Sequence, residues 1–374
     1  MAQILTETQL ALKLAVEAET NGEQTIIFTE KGQPSFMYKL QKFDMSMINE
    51  EWSGTHPAFT VDGIEKDYIY IGVYSGVLKN GEIVSQPNQD PRLPLAILDQ
   101  QKNIAACGAG FHMMSYDEWA AVALICRKNN WFPLGVTDAS LGYSPFGGPN
   151  EKGRSLPNSA NIYTGSGTVN FRHNLSYTGI SDMVGNVHER QVGCRLVNGE
   201  LHVIDPSLVK NSANDLSRNS NLWKAVDAYT GALIERSYVG DLDLGTYIPT
   251  TTNSLRFGLN ANANTIGVYA SNVQFAIEVL DYSKLAEAAV SKLQQLDIIS
   301  TTKYPDVSSY GKYWNDVSIR CTAETQHTPG VFGCLNMMRG GSIAFQHAGI
   351  DTYTFDFPDD IAEPTVSCRP CYYE

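Results

Sequence analysis

The sequence predicts an α+β fold with long loop insertions and a small N-terminal αβ unit. Three observations lead there. Helical periodicity is confined to a few stretches. Runs rich in β-branched and aromatic residues lie between them and read as strands. Asn, Ser, Thr and Gly fill much of the rest, and these residue types favour turns and loops over regular backbone pairing. The composition agrees: charged residues make up 18% of the 374, below the usual quarter, and there are 19 Tyr and 31 Gly.

Each element has its own signal. Residues 6–19 read as a helix, because Ala11, Leu14, Ala15 and Ala18 fall at the i, i+3, i+4, i+7 spacing of one apolar face. After a break at Asn21-Gly22 come the strand-like segments Thr25–Phe28 and Ser35–Tyr38. Together they form the N-terminal unit, residues 1–50. The main domain is placed at 51–374 and opens with a strand over Tyr68–Tyr74. The clearest helix begins at Ser115, which with Glu118 makes a capping box; Trp119, Val122, Ala123 and Cys126 form its apolar face. Leu196–Leu201 reads as a hairpin around Asn198-Gly199. Residues of about 205–265 are read as an Asn/Ser/Thr-rich insertion of long loops. A last helix is expected over 284–296, with Ala286, Ala289, Val290 and Leu293 on one face. We find no internal repeat.

Charge and composition exclude several classes. A net charge of −13 argues against a nucleic-acid backbone or an anionic membrane as the main partner. No apolar run approaches the ~20 residues of a membrane helix, so membrane insertion is not expected. The N-terminus lacks a basic segment followed by an apolar core and does not read as a signal peptide, so synthesis in the cytoplasm is expected. The final location, in a virion or on a surface, stays open. Seven cysteines spread along the chain do not read as a disulfide framework.

Motif chemistry points weakly away from catalysis. His188-Glu189 has no second His four residues on, so it is not the zinc-protease motif. Cys368 and Cys371 form a C-x-x-C, but no second ligand pair stands at a suitable spacing, and buried thiols are the better reading. A nucleophile elbow, a phosphate loop and a dinucleotide fingerprint are all missing.

The informative segment is Asp182-Met183-Val184-Gly185-Asn186-Val187-His188-Glu189. It resembles the D-M-x-G-N-V-W-E-W signature of the formylglycine-generating-enzyme branch of the C-type lectin fold. GFHMMSYDEWAAVAL (110–124) resembles that branch's E-W helix, and MMRGGS (337–342) with VSCRPC (366–371) its closing pair of strands. The blocks occur in the family's order over residues 55–374. The resemblance implies a C-type lectin fold of this branch, with Trp119, Asn186 and Glu189 as architecture. It also implies a calcium site on the signature turn, which position by position gives Asp182, the carbonyls of Gly185 and Val187, and Glu189; bracing of the turn by hydrogen bonds is the other reading of these residues. No other cofactor is required. The family's two Trp positions are His188 and Arg190 here. Its oxidase members carry a cysteine pair just after R-G-G-S, and Ile343–Ile350 contains no cysteine. The oxidase chemistry is therefore not expected.

The chain is similar in more places to the variable proteins of diversity-generating retroelements, many of them in phages or prophages. The similarity takes in GQPSFMYKLQKF (32–43), HPAFTVDGIEKDYIYIGVY (56–74), the helix block, GNVHERQVGCRLVNGELHVI (185–204), LWKAVDAYTGALI (222–234) and the closing module. It implies a non-catalytic receptor-binding or display protein, whose segment of about 339–371 carries a diversified surface for a protein target on a cell. The ligand-binding residues expected are Ile343, Phe345, His347, Ile350, Asp351, Tyr353, Phe355 and Phe357; a core face on the last strands would give Tyr353, Phe355 and Phe357 the same alternation. Mutation of an Asn codon at its adenines cannot produce Gln346. The rival readings are a formylglycine-type modifying enzyme and a tail or adhesion protein with a fixed partner. A calcium-dependent sugar site is discounted, because Glu363-Pro364 is followed by Thr365 and not by an amide.

Overall fold

The computed structural model describes residues 4–258, 286–298, 333–346, 348–355 and 358–374, and the backbone of the short strands Thr265–Gly267, Ala276–Ile277 and Val317–Ile319. The fold is mixed, with mostly antiparallel sheets and few helices, as the α+β expectation has it. Among the described residues no helix is long and apolar enough to cross a membrane.

A five-stranded antiparallel sheet runs in the order Gln24–Phe28, Pro34–Gln41, Tyr68–Gly72, Pro370–Tyr372 and Phe111–Met113. This corrects the boundary near residue 50. The N-terminal hairpin is part of the same sheet as the C-terminal strand, and Leu40 and Phe43 share a core with Trp119 and Cys371. The unit therefore cannot bury its apolar face without the rest of the chain. The helix Glu7–Glu19 forms as expected and is capped by Thr6, whose Oγ1 accepts from the Gln9 N–H at 3.2 Å. Its apolar face behaves otherwise: Ala11, Leu14, Ala15 and Ala18 are all exposed.

The second sheet is built outward from the long strand His188–Val197. Glu200–Ile204 and Trp223–Val226 lie on one side, and Cys334–Arg339 and Tyr353–Phe355 on the other. Val366–Cys368 runs parallel to its beginning. The last residues thus join both sheets, with Arg369 at the crossing. The Asn198-Gly199 hairpin is as expected, with φ of +46° and +85°. The insertion is less loop-like than its composition suggests, since Trp223–Val226 extends the sheet and Trp223 is buried.

The helix Tyr116–Lys128 lies between the sheets and is buried nearly all round. Its capping box is formed: Glu118 Oε2 accepts from the Ser115 N–H and Oγ–H, each at 2.9 Å. Trp119, Val122, Ala123 and Cys126 are fully buried, and Trp119 Nε1 donates to the Ile350 carbonyl at 2.8 Å. The helix Glu287–Gln295 buries Ala289 and Leu293, two of the four residues expected on its inner face.

Candidate functional site

The three blocks that carry the family resemblance meet in space. Gly185 N–H donates to the Gly340 carbonyl at 2.7 Å, joining the signature turn to the R-G-G-S loop. His188 N–H donates to the Thr365 carbonyl at 3.2 Å, joining the turn to the closing strand. Two glycines permit the approach. Gly185 has φ +68°, and a Cβ there would sit 2.4 Å from the Val136 carbonyl oxygen. Gly340 has φ +78°, and a Cβ there would sit 2.3 Å from the Met183 carbonyl oxygen. Asn186, at φ +64°, does not bond local backbone. It holds Ile162 from both sides: Nδ2 donates to its carbonyl at 3.1 Å, and Oδ1 accepts from its N–H at 3.0 Å.

The residues of the signature turn do not fit a calcium ion. Arg369 Nε donates to Glu189 Oε2 at 2.8 Å, and Arg369 Nη2 donates to Oε1, which also accepts from Ser75 Oγ at 2.9 Å. Both carboxylate oxygens are occupied, and a guanidinium stands where the divalent cation was expected. Asp182 accepts from the Gly165 N–H at 2.6 Å, and burial raises its pKa above the ordinary carboxylate range. Calcium needs six to eight accessible oxygens. What holds here is bracing by hydrogen bonds and an internal ion pair.

The C-terminal ligand-binding residues divide. His347 and Phe357 lie outside the described residues. Ile350, Asp351, Tyr353 and Phe355 are buried, the most exposed of them at 2%. Their expected place on a solvent-facing patch is corrected, for a topological reason. The strand Tyr353–Phe355 is internal to its sheet, with Cys334–Arg339 on one side and Val317–Ile319 on the other. Tyr353 and Phe355 pack in the core with Leu196, Leu293 and Met337, and Thr354 on the opposite face is buried too. Asp351 faces Arg127 Nε at 3.1 Å, beside a buried pair of Arg339 with Asp297.

What reaches the surface is the loop between R-G-G-S and that strand. Ala344 and Gln346 are exposed, and Ile343 and Phe345 are half-buried. Sequence reasoning missed the second half of this surface, the loop following Thr137. Ala139 N–H donates to the Ile343 carbonyl at 2.7 Å, and Thr137 Oγ1 donates to the Gln346 carbonyl at 3.3 Å. Asp138 fastens the two loops together. Its carboxylate accepts from Ser140 Oγ at 2.6 Å, the Ser140 N–H at 2.8 Å and Gln346 Nε2 at 2.7 Å. These bonds, the Ser140 hydroxyl first, hold its pKa below the ordinary carboxylate range. Ala139, Ser140 and Leu141 are exposed beside Ile343–Gln346.

The two family Trp positions are filled differently. Buried His188 meets the Phe345 ring edge-on at 4.7 Å between centroids, and burial pushes its pKa down to about 4. Arg190 spends its charge on carbonyls, donating to Leu95 O at 2.8 Å and Ile361 O at 2.7 Å. Cys368 and Cys371 are both buried thiols, in different cores.

Comparison with models of known protein families finds no match, and neither does comparison with curated proteins.

Proposed function

We propose that this chain is a non-catalytic ligand-binding protein on a C-type lectin scaffold of the formylglycine-generating-enzyme-like branch, similar to the variable proteins of diversity-generating retroelements. Its recognition surface is the pair of loops Ile343–Gln346 and Ala139–Leu141, and its partner is a protein on a cell surface. The observation that carries this reading is the contrast within one module. Arg339, Gly340, Gly341 and Ser342 are buried, as are Ile350–Phe355, while the short loop between them emerges beside a second loop fastened to it through Asp138. A rigid frame under a short loop limits the entropy lost on binding. The half-buried Ile343 and Phe345 offer apolar contact area for a protein partner. The segment Ile343–Ile350 also supplies no thiol for the chemistry of the oxidase relatives.

Sequencing the gene's surroundings in many isolates tests this. The reading requires a reverse transcriptase and a near-identical repeat of the gene's 3′ end. It also requires variation among isolates at Ile343 and Phe345, with Gln346 and the buried Tyr353 and Phe355 fixed. Variation concentrated at the buried positions, or a 3′ end with no repeat, would refute it.

A further inference from the structure

We propose that His112, Glu118 and Cys371 form a zinc-binding site. The topology assembles it from distant sequence. His112 and Cys371 are directly opposite each other on neighbouring antiparallel strands, so their side chains share a sheet face. The helix that follows Met113 and Met114 starts at Tyr116 and brings Glu118 over that face on its first turn. The three donor atoms lie within 4.8 Å of one another, and all three residues are buried. Thiolate, imidazole and carboxylate are the donor types that zinc takes.

The three side chains meet one another at the centre of this cluster. His112 Nδ1 is 3.0 Å from the Gly110 carbonyl, and Nε2 is 2.9 Å from Glu118 Oε1. Both neighbours are acceptors. Nδ1–H therefore donates to the carbonyl, the arrangement that orients a metal-ligating imidazole. Nε2 is thereby the ring atom turned to the centre of the cluster. Glu118 is divided in the same way: Oε2 caps the helix through Ser115, and Oε1 is turned to the cluster. The Cys371 thiol is held neutral by burial, with the Glu118 carboxylate beside it. Zinc bonds to Nε2, Sγ and Oε1, and the thiol proton leaves to solvent. The ring of half-buried Tyr373 lies 5.5 Å from the imidazole, and the Tyr373 N–H donates to the same Gly110 carbonyl at 3.2 Å. The site thus clamps the C-terminal strand to the front of the buried helix.

The test uses the full chain, stripped with a chelator and titrated with Co²⁺. We expect one equivalent bound, a thiolate-to-cobalt charge-transfer band, release of protons in weak buffer, and displacement by zinc. C371S and H112Q should lose the band, and C368S should keep it, since Cys368 belongs to another core. If C371S or H112Q fails to fold, the wild-type titration decides alone. A folded wild type that binds no stoichiometric Co²⁺, or binds it without the thiolate band, overturns the proposal. So does a band that survives in folded C371S.

Discussion

Arg369 meets Glu189 along both carboxylate oxygens, with Nε to Oε2 at 2.8 Å, where neither side chain touches solvent. The same guanidinium reaches the Gly72 carbonyl at 2.8 Å and the Ser181 carbonyl at 3.0 Å. It thereby ties both sheets and the signature turn to the last strand. Removing one partner leaves the other charged and unpaired in the interior. R369M should cost about 3–5 kcal/mol, while the double variant R369M/E189Q should cost less than the sum of the single changes. Urea unfolding of the four proteins checks this, and strict additivity would break the link.

The strand Tyr353–Phe355 is predicted to act as core. Phe355→Ala should cost roughly 3–5 kcal/mol, as large core truncations do. Ala344→Ser, at the surface loop, should stay within about 1 kcal/mol of wild type. Melting temperatures measured side by side test this, and a reversed order would return the strand to the surface.

Alternation in Y-T-F shows that Tyr353 and Phe355 share a face, but not which face is wet. A buried strand and a display strand have the same period, and the deciding fact, a neighbour on each side, is a property of topology. The capping box at Ser115, the Asn198-Gly199 turn and the apolar face at Trp119 were legible because each depends on residues close in sequence. Arg369 was not legible as the partner of Glu189, because 180 residues separate them. The exposed face of the helix Glu7–Glu19 shows the converse limit: periodicity reports an apolar face, not whether anything covers it.

Acid should unfold the protein above the ordinary carboxylate range. Burial pushes His56 and His173 down to about 3 and His188 down to about 4. In His56 and His173 the Nδ1 atom accepts a backbone N–H, from Ala58 at 3.2 Å and from Ile180 at 2.8 Å, which requires the neutral ring. The folded pKa values lie below the unfolded value of about 6.5. Their contribution is therefore complete above pH 6.5 and is lost as pH falls toward 4 and 3. Each ring accounts for up to about 1.4 kcal/mol per pH unit inside that window. Urea midpoints at pH 7 and pH 5 should fall accordingly, and equal midpoints would contradict the neutral, buried assignment.

Asp138 is predicted to control the surface without carrying the core. D138A should speed hydrogen exchange at the amides of Ala139, Ser140 and Leu141, which depend on its carboxylate or on the loop it fastens. Exchange in the strand His188–Val197 should be unchanged. Uniform acceleration across the chain would mean that Asp138 supports the whole fold instead.

Gly340 should not tolerate a side chain. G340A combines a left-handed backbone with a Cβ 2.3 Å from the Met183 carbonyl oxygen, and should cost more than about 1 kcal/mol. A G340A protein as stable as wild type in urea would show that the turn and the R-G-G-S loop are not locked together.

The central claim is that a fixed frame presents a changeable loop pair. Two libraries of equal size test it most directly, one randomised at Ile343, Ala344 and Phe345, the other at Ile350, Tyr353 and Phe355. The account predicts that most members of the first library are folded, judged by resistance to proteolysis on a display surface, and that selection against a chosen protein target yields binders from it. It predicts that most members of the second are degraded. Equal resistance in the two libraries, or greater loss in the first, would contradict it.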